Sequence, residues 1–298
     1  MHTPSVSPPR YRIERSLGKG GLGEVFLAFD TRLRRHVALK RLSGTPTREG
    51  TPREQAWREG VHLATVQHPN VVAVYDFGTD AHGPFLIMEL VGGETLDAVV
   101  ARGAFPLADF LLLARQTLEG LAAAHQAGLF HRDLKPGNIM LKYSPTHALQ
   151  VKIVDFGIAV PVRESERFAD SRSATDQPPV ILGTVEFVAP ERFERHPISE
   201  RGELYSLGCI FYYALTAMDA FRGATTGEII TSHLVGSPTP LDLLRDDLPP
   251  ALSAWVMRLL SRQPEDRPAS VQAALAEFQT ISSPRVPVRW AEAATIRV

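Results

Sequence analysis

Four polar residues near the middle of the chain have the types and the order that phosphoryl transfer requires. Asp133, Lys135 and Asn138 lie in one short segment, HRDLKPGN at positions 131–138, and Asp155 follows further along the sequence. The reaction needs a carboxylate to orient the attacking hydroxyl, a cation to offset charge on the phosphoryl group, and oxygen ligands for Mg²⁺. We therefore predict that Asp133 is the catalytic base, that Lys135 offsets the charge, and that Asn138 and Asp155 hold the metal.

Glycines near the N-terminus could cover phosphate groups. The segment GKGGLG at positions 18–23 also fits the dinucleotide-binding pattern, but that kind of site requires a helix directly after the glycines. The residues that follow, EVFLA at positions 24–28, are typical of a β-strand. The glycines are therefore expected at the tip of a hairpin, where missing side chains let backbone N–H groups approach phosphate.

Lys40 ends the apolar segment VALK at positions 37–40. A buried lysine is costly unless it is paired, so we expect Lys40 to contact phosphates and to pair with a carboxylate on a helix predicted over residues 53–66. Glu59 is the preferred partner and Glu54 the alternative, because sequence alone does not fix the helix register. The other interpretation of Lys40 is a surface lysine at the end of a strand.

Two histidines near the catalytic segment, His125 and His131, have the right side chain for acid–base chemistry. A structural role, in which each imidazole holds nearby backbone, is the preferred interpretation, because the carboxylates and lysine above already fill the roles that the reaction needs. No cluster of histidines and cysteines has the spacing of a zinc site.

Composition and charge narrow the class of protein. The chain has 298 residues, 44% hydrophobic and 22% charged, enough for a sizeable core in one large domain or two lobes. A formal net charge of −1 gives no electrostatic reason to expect a nucleic acid or an anionic membrane as partner. The single Cys209 cannot form an intrachain disulfide, and neither residues 1–10 nor the apolar stretch 204–218 fits a secretory or membrane-spanning segment. We therefore expect a cytoplasmic protein.

Turn residues and hydrophobic periodicity divide the chain into two lobes between two tails. Residues 11–91 are predicted to form a lobe of strands with one helix, and residues 92–280 a mainly helical lobe beyond a hinge at Gly92-Gly93. Residues 1–10 are expected to be disordered, and the tail 281–298 has no clear assignment. Strands are predicted at 23–29, 36–42, 71–77 and 85–90, short apolar runs at 139–141 and 151–154, and helices at 53–66, from 107 to a cap at Gly128, and from about 203 to 278.

Taken together, these motifs resemble the protein serine/threonine kinases, and most closely their bacterial, eukaryotic-like (Hanks-type) branch. The resemblance covers about residues 11–280. Besides the segments already given, it rests on HPNVV at 68–72, DFG at 155–157, Gly183-Thr184, Ala189-Pro190-Glu191 and Asp266-Arg267-Pro268.

The resemblance implies an α+β fold with a small β-rich N-terminal lobe, which binds ATP, and a larger helical C-terminal lobe. It implies a protein serine/threonine kinase (EC 2.7.11.1) that transfers the γ-phosphoryl group of Mg-ATP, with Mn²⁺ as a possible substitute, to hydroxyls of protein substrates. Regulation by autophosphorylation of the segment between Asp155 and Glu191 is expected, with self-association of two copies for transfer in trans.

The resemblance also implies a nucleotide site. Met88 would be the gatekeeper, Glu89 and Val91 would offer backbone groups to adenine, and Glu191 would form an ion pair with Arg267. Adenine would lie between the side chains of Val25, Ala38 and Met140. The residues assigned to the nucleotide are Leu17, Gly18, Gly20, Gly21, Gly23, Val25, Ala38, Lys40, Met88, Glu89, Val91 and Met140.

Three positions depart from the family pattern. Glu203 stands where an aspartate usually holds the backbone of the catalytic loop, Phe187 stands where tyrosine is common, and Leu215-Thr216-Ala217 replaces the usual Leu-Thr-Gly. The extra methylene of Glu203 changes the reach of its carboxylate by about 1.5 Å, which we expect to affect the rate rather than the type of reaction.

Two other functions fit parts of this sequence. A pseudokinase that binds nucleotide and acts as a signalling scaffold is compatible with the departure at Glu203. A small-molecule phosphotransferase of similar fold would share Asp133 and Asp155, but it would lack the peptide-docking segment at positions 183–191.

Overall fold

The computed structural model of the chain describes residues 10–20, 23–42, 64–144, 148–156 and 185–282. The N-terminal half of this part is a five-stranded antiparallel sheet with the strand order β1-β2-β3-β5-β4. The strands are β1 (Tyr11–Gly20), β2 (Gly23–Asp30), β3 (Arg35–Leu42), β4 (Val74–Asp80) and β5 (Gly83–Met88).

Strand β1 has no counterpart among the predicted strands. Its residues from Arg12 to Lys19 are exposed, and their charged and polar side chains give little of the apolar signal by which a strand is recognised. The strand exists because it pairs with β2 along its whole length, from Tyr11 opposite Asp30 to Gly20 opposite Gly23.

The glycines lie at the end of the β1–β2 hairpin, as the sequence predicts. Gly23 has a φ of +139°, and a Cβ built on it would lie 2.0 Å from the carbonyl oxygen of Arg41 in the neighbouring strand. Only glycine tolerates both this backbone conformation and this close approach. Gly21 lies outside the described residues.

The strand predicted at 71–77 begins later than expected. Val71 instead forms a parallel bridge with Ile153, in strand β8 (Leu149–Ile153) of a second sheet, and the Val72 N–H donates to the Ile153 carbonyl at 2.9 Å. The apolar pattern of 71–77 therefore covers two different pairings. The second sheet has the order β6-β7-β8, with β6 at Glu94–Thr95 and β7 at Ile139–Tyr143.

The remainder of the described chain is mainly helical, as predicted. The helices are α1 (Leu96–Val100), α2 (Leu107–Gln126), α3 (Pro190–Phe193), α4 (Glu200–Thr216), α5 (Thr226–Val235), α6 (Pro250–Leu259) and α7 (Val271–Ser282). Gly128 has a φ of +72° just beyond α2, which confirms its predicted place at the end of that helix. Of the helix predicted at 53–66, only Ala64 and Thr65 among the described residues are helical, and Glu54 and Glu59 lie outside them.

Helix α4 forms the centre of the C-terminal half. Leu204, Leu207, Phe211 and Leu215 are fully buried, which confirms the prediction of a central buried helix in this stretch. The Phe211 ring meets the Phe110 ring of α2 edge to face, with 5.6 Å between centroids. No helix of the described residues is long and apolar enough to cross a membrane.

The ion pair expected between Glu191 and Arg267 is present and buried. Arg267 Nη1 lies 2.7 Å from Glu191 Oε1 and Nη2 lies 2.9 Å from Oε2, a two-point contact that fits the planar shapes of both groups. The guanidinium also lies over the ring of Tyr205, 4.8 Å from its centroid, and donates to backbone carbonyls including that of Arg201. This contact joins the start of α3 to the loop before α7.

Ala217, which stands where the family usually has glycine, ends α4 with a φ of +54°. An L-residue in this conformation carries a strain of about 1–2 kcal/mol that glycine avoids. We expect Ala217→Gly to raise the free energy of unfolding by about 1 kcal/mol, since the strain relieved exceeds the entropy that glycine adds to the unfolded chain. Urea denaturation measures the change.

Ala127→Gly is the matched control, because Ala127 ends α2 with a φ of −85° and is exposed. That substitution relieves no strain and should lower stability by about 0.4–1 kcal/mol. Equal effects of the two substitutions would contradict the assignment of strain to Ala217.

Candidate active site

Asp133, Lys135 and Asn138 converge in the loop after α2. Lys135 Nζ lies 2.6 Å from Asp133 Oδ2, and the Asn138 amide nitrogen donates to the backbone carbonyl of Asp133 at 2.7 Å and to its Oδ2 at 3.1 Å. Pro136 begins a short 3-10 turn, Pro136–Asn138, that brings Asn138 back toward Asp133. The Asp133 carboxylate is thus held on one side by two donors, and about a quarter of the side chain is exposed, 27%.

His131 supports this loop from within the core. The residue is fully buried, its Nε2 lies 3.0 Å from the Val154 carbonyl oxygen, and its Nδ1 accepts the N–H of Asp133 at 3.3 Å. Burial lowers the pKa of His131, and the acceptor role of Nδ1 requires a neutral ring that carries its proton on Nε2. The structural role predicted for this histidine agrees with these bonds.

Asp155 is brought to the same place by strand β8. The Val154 N–H donates to the Asn138 carbonyl at 2.9 Å, so Asn138 and Asp155 are adjacent across the end of the second sheet. Phe156 is buried, and its ring packs on His131 with 4.6 Å between centroids. Of the two residues predicted to bind metal, Asn138 thus accepts the bond from Val154 in the turn before β7, and Asp155 directly follows Val154.

Two residues of the site have a left-handed backbone that is rare outside glycine. Arg132 has a φ of +70° and Asp155 a φ of +64°. Such conformations cost on the order of 1–3 kcal/mol each and persist where the surrounding structure enforces them, most often at functional sites. The bonds to Glu203 and to His131 fix the backbone at and after Arg132. The bond from Val154 to Asn138 fixes the backbone just before Asp155.

Lys40 reaches the site from the N-terminal sheet. Its side chain is 3% exposed, and its Nζ donates to Asp155 Oδ1. The partner predicted for Lys40 from the sequence, Glu59, lies outside the described residues, and the contact with Asp155 was not predicted. No local pattern reveals that contact, because it depends on how the two halves of the chain pack.

The residues assigned to adenine are contributed by both sheets and by the segment after β5. Ala38 pairs with Met88 between β3 and β5, both are buried in the main hydrophobic core, and Val25 packs against that core. Met140 lies half-buried on β7. The glycine positions Gly18, Gly20 and Gly23 and the 40% exposed Leu17 lie on the β1–β2 hairpin.

Glu89 anchors the segment that follows β5. Its N–H donates to the Ala73 carbonyl at 2.8 Å, and its Oε2 lies 2.6 Å from Lys152 Nζ on β8 and accepts the Ala73 N–H at 3.3 Å. The segment that continues to Val91 is therefore tied to the second sheet at its first residue.

Glu203 holds the backbone of the catalytic loop despite its longer side chain. Its Oε1 accepts the N–H of Arg132 at 2.7 Å, and its Oε2 lies 2.6 Å from His125 Nε2. The side chain is only 6% exposed. The extra methylene therefore does not break the contact with the loop, and the second oxygen of the same carboxylate contacts His125. Sequence analysis predicted a structural His125 but did not identify Glu203 as its partner.

Among the described residues, no group of three or more histidine, cysteine, aspartate or glutamate side chains is arranged to hold a metal ion. Asp155 and Asn138 supply one carboxylate and one amide, and the Asn138 nitrogen already donates to Asp133, so its oxygen is directed away from Asp133. A pair of oxygen ligands of this kind suits Mg²⁺, which takes one or two protein ligands together with phosphate and water.

Comparison with known sequences gives consistent matches over most of the chain. The family described as "Protein kinase domain" matches residues 11–278. The serine/threonine-protein kinase pkn2 of Myxococcus xanthus is 37% identical over 88% of this chain and 31% of its own length. The serine/threonine-protein kinase PknB of Mycobacterium tuberculosis is 35% identical over 96% of this chain and 46% of its own length. The chain thus spans half or less of the curated relatives that it matches.

Two solved structures with a similar fold also match most of this chain. A structure described as Rad53 in complex with AMP-PNP has a TM-score of 0.72 and 26% identity, over 90% of this chain and 64% of that one. The kinase domain of Mycobacterium tuberculosis PknI has a TM-score of 0.67 over 92% of this chain and 96% of that one, and at 23% identity it supports the fold alone.

Shortening Glu203 tests the two-sided contact of its carboxylate. An aspartate cannot reach both the Arg132 N–H and His125, so we expect Glu203→Asp to lower any turnover that depends on Asp133 by about tenfold, a loss typical of imperfect positioning. Steady-state turnover measures the effect. Glu265→Asp, the same change at an exposed position, is the control and should leave turnover unchanged. Faster turnover in Glu203→Asp would show that the longer side chain strains the loop.

Proposed function

Because this chain belongs to the protein kinase family, in its bacterial Hanks-type serine/threonine branch, we propose that it transfers the γ-phosphoryl group of ATP to serine and threonine hydroxyls of proteins. The observation that carries the proposal is the cluster of Asp133, Lys135 and Asn138 beside the Lys40–Asp155 pair. These groups supply the base, the cations and the oxygen ligands for Mg²⁺ that phosphoryl transfer requires, and little covalent work is left for the protein.

In this mechanism Asp133 orients the substrate hydroxyl and accepts its proton. The contacts from Lys135 and Asn138 to Oδ2 fix the carboxylate plane, so Oδ1 is directed to the incoming hydroxyl. Lys135 also offsets charge on the γ-phosphoryl group, since a cation this close to the base can reach the group being transferred. Positioning and electrostatic stabilisation therefore provide most of the rate enhancement.

Asn138 and Asp155 would hold Mg²⁺, or Mn²⁺ in its place, through oxygen atoms. A bound metal ion would supply positive charge that offsets the charge of the phosphate groups. Lys40 lies against the same Asp155 carboxylate, so an ammonium group and a metal ligand face the phosphates together. Glu59 remains the proposed helix partner of Lys40.

ATP would bind between the glycine hairpin and the second sheet. Val25 and Ala38 from above and Met140 from below would enclose adenine, with Met88 as gatekeeper and backbone groups of Glu89 and Val91 as its hydrogen-bond partners. The N–H of Glu89 is already bonded to Ala73, which leaves its carbonyl for the adenine amino group. The relative described as a complex with AMP-PNP supports nucleotide binding in this fold.

For the protein as a whole, we propose protein substrates and a cytoplasmic location, where ATP is the available phosphoryl donor. The proposed ATP-binding lobe is residues 11–91 and the proposed catalytic and substrate-binding lobe is residues 92–280. Self-association would serve transfer between two copies. The pseudokinase alternative depended on Glu203, and the bond that Glu203 makes to Arg132 removes the structural reason for it.

Replacing each aspartate by asparagine separates the base from the metal ligand. We expect Asp133→Asn and Asp155→Asn each to lower turnover by at least about a hundredfold, the usual loss for a group of this kind. A higher Mg²⁺ concentration should partly restore Asp155→Asn, which keeps an oxygen ligand, and should not restore Asp133→Asn. Transfer of ³²P from ATP to a basic protein substrate measures both.

Asp242→Asn is the control for these variants, because Asp242 is exposed on a surface turn. If neither active-site variant loses a hundredfold, the proposed roles are wrong. An identical response of both variants to Mg²⁺ would overturn the division of roles between them.

Autophosphorylation is proposed to regulate the enzyme. The candidate sites are Ser165, Ser171, Ser173 and Thr175, all of which lie in residues 157–184, outside the described part of the chain. Arg132 precedes Asp133 and has its backbone fixed by Glu203, so a phosphate that pairs with its guanidinium would be coupled to the catalytic loop. Ser173 and Thr175 are the preferred acceptors, since they lie nearest to the docking segment in sequence.

Mass spectrometry after incubation with Mg-ATP tests this regulation. We expect phosphate on Ser173 or Thr175 in the wild type and none in Asp133→Asn. The double variant Ser173→Ala/Thr175→Ala should lose at least about tenfold in turnover, because the segment loses its charged anchor. The pair Ser165→Ala/Ser171→Ala is the control. Full activity without phosphate between residues 158 and 182 would exclude the switch.

A further inference from the structure

His125 lies in a buried position between two carboxylates. It is in the last turn of α2, its side chain is 5% exposed, and two glutamates in the first turn of α4 face its two ring nitrogens. Nε2 lies 2.6 Å from Glu203 Oε2, a short hydrogen bond, and Nδ1 lies 3.3 Å from Glu200 Oε2, within ion-pair distance but outside hydrogen-bond geometry. A ring that carries a proton on both nitrogens donates to Glu203 and places positive charge beside the Glu200 carboxylate as well.

The electrostatics of this position favour the charged ring. Burial by itself lowers the pKa of His125, but the hydrogen bond and the charge of Glu203, together with the charge of Glu200, raise it above its ordinary value. The helix ends act in the same direction, since a cation is stabilised at the C-terminus of α2 and anions at the N-terminus of α4. A buried Glu203 carboxylate is costly without a partner, and His125 is the charged partner that it has.

The same ring connects three structural elements to the catalytic loop. Glu203 accepts the Arg132 N–H with its other oxygen, directly before Asp133. Glu200 Oε2 also accepts the N–H of Val271 at 3.1 Å, at the start of α7. The orientation of the His125 ring therefore fixes Glu203 relative to α2, α4 and α7, and through Glu203 it fixes the catalytic loop.

We infer that His125, as an imidazolium, is a positioning residue for phosphoryl transfer: it holds Glu203 so that the Arg132 N–H, and with it Asp133, stays in the productive position. The inference rests on the proposed kinase activity. His125 is not among the residues proposed to bind nucleotide or substrate, so we expect its effect on turnover rather than on binding. The longer glutamate at position 203 is what allows one carboxylate to reach both the loop and the ring.

The inference predicts a particular dependence on pH. Glu200 and Glu203 face the His125 ring from α4. The uncharged ring of Phe130 packs on the His125 ring with 5.0 Å between centroids. The residue of α7 that contacts the neighbouring Gln126 is Gln272, which is uncharged. His131 faces Glu203 from the loop, and burial lowers its pKa, so it stays neutral. Because the pKa of His125 is raised, its charge is complete at acidic pH and is lost as the pH rises through that raised pKa.

His125→Gln tests the role of the charge, because glutamine keeps a donor for Glu203 and removes the titration. At saturating ATP and peptide, we expect kcat to fall by about tenfold near neutral pH, with KM for ATP changed less than about twofold. Wild-type kcat should decrease on the alkaline side of the His125 pKa, and the variant should lack that decrease. A variant with wild-type kcat, or with the alkaline decrease retained, would overturn the inference.

Gln126→Ala is the matched control. Gln126 is the next residue of α2, and its side-chain amide donates to Gln272 of α7. It should keep wild-type kcat and the wild-type pH profile. If it changes both as His125→Gln does, packing between α2 and α7 explains the effect, and the charge of His125 does not.

Two measurements by NMR are independent of catalysis. The ring nitrogen shifts of His125, assigned by their loss in His125→Gln, should give a pKa above about 6.5, and Glu200→Gln should lower it. Protection of the Arg132 amide against hydrogen exchange should fall by about tenfold in His125→Gln and stay unchanged in Gln126→Ala. A His125 pKa at or below the ordinary value, or an unchanged Arg132 amide, would refute the role. If the wild-type chain transfers no phosphate at all, the proposed function fails, while these two measurements still decide what His125 does.

Discussion

The hydrogen bond from the Arg132 N–H to Glu203 joins the chemistry of this protein to its most buried element. Helix α4 has apolar residues around nearly its whole circumference, so its position is fixed by packing against α2 and α6. Gly208 allows that close packing, since a Cβ on it would lie 2.8 Å from the Leu259 Cβ of α6. A loop with a left-handed residue, Arg132, gains its fixed geometry from this rigid support.

The other half of the site is supported from the sheets. Asp155 lies two residues beyond the end of strand β8, the turn before β7 carries Asn138, and strand β3 carries Lys40. Both strands are held by backbone hydrogen bonds to their neighbours in the sheets. Charged groups that would be costly in isolation thus compensate one another, as the buried Lys40 and the partly exposed Asp155 do.

The sequence predicts contacts between residues that are close together in the chain. It does not predict contacts that depend on how distant elements pack. The convergence of Asp133, Lys135 and Asn138 follows from a short loop and one turn, so residue types and spacing predict it. The buried helix at 204–218 and the pair of Glu191 with Arg267 were also predicted correctly, the first from its apolar run and the second from the family resemblance. Strand β1 was not predicted because its exposed polar residues carry no periodic signal. The contacts of Lys40 with Asp155 and of His125 with Glu203 were not predicted because they join elements that are distant in sequence.

The anchoring of Glu89 and Val72 to β8 limits how the cleft can move. Both residues lie next to strands β4 and β5, at one edge of the five-stranded sheet, and both are bonded to the second sheet or to its Lys152. That edge is therefore the anchored side of the sheet, and strands β3, β2 and β1 lie progressively further from it. If the sheet rotates over the catalytic loop, the glycine hairpin at the opposite edge moves the furthest. The segment that would cover the phosphates is then the most displaced, and the proposed hydrogen-bonding groups for adenine stay nearly fixed.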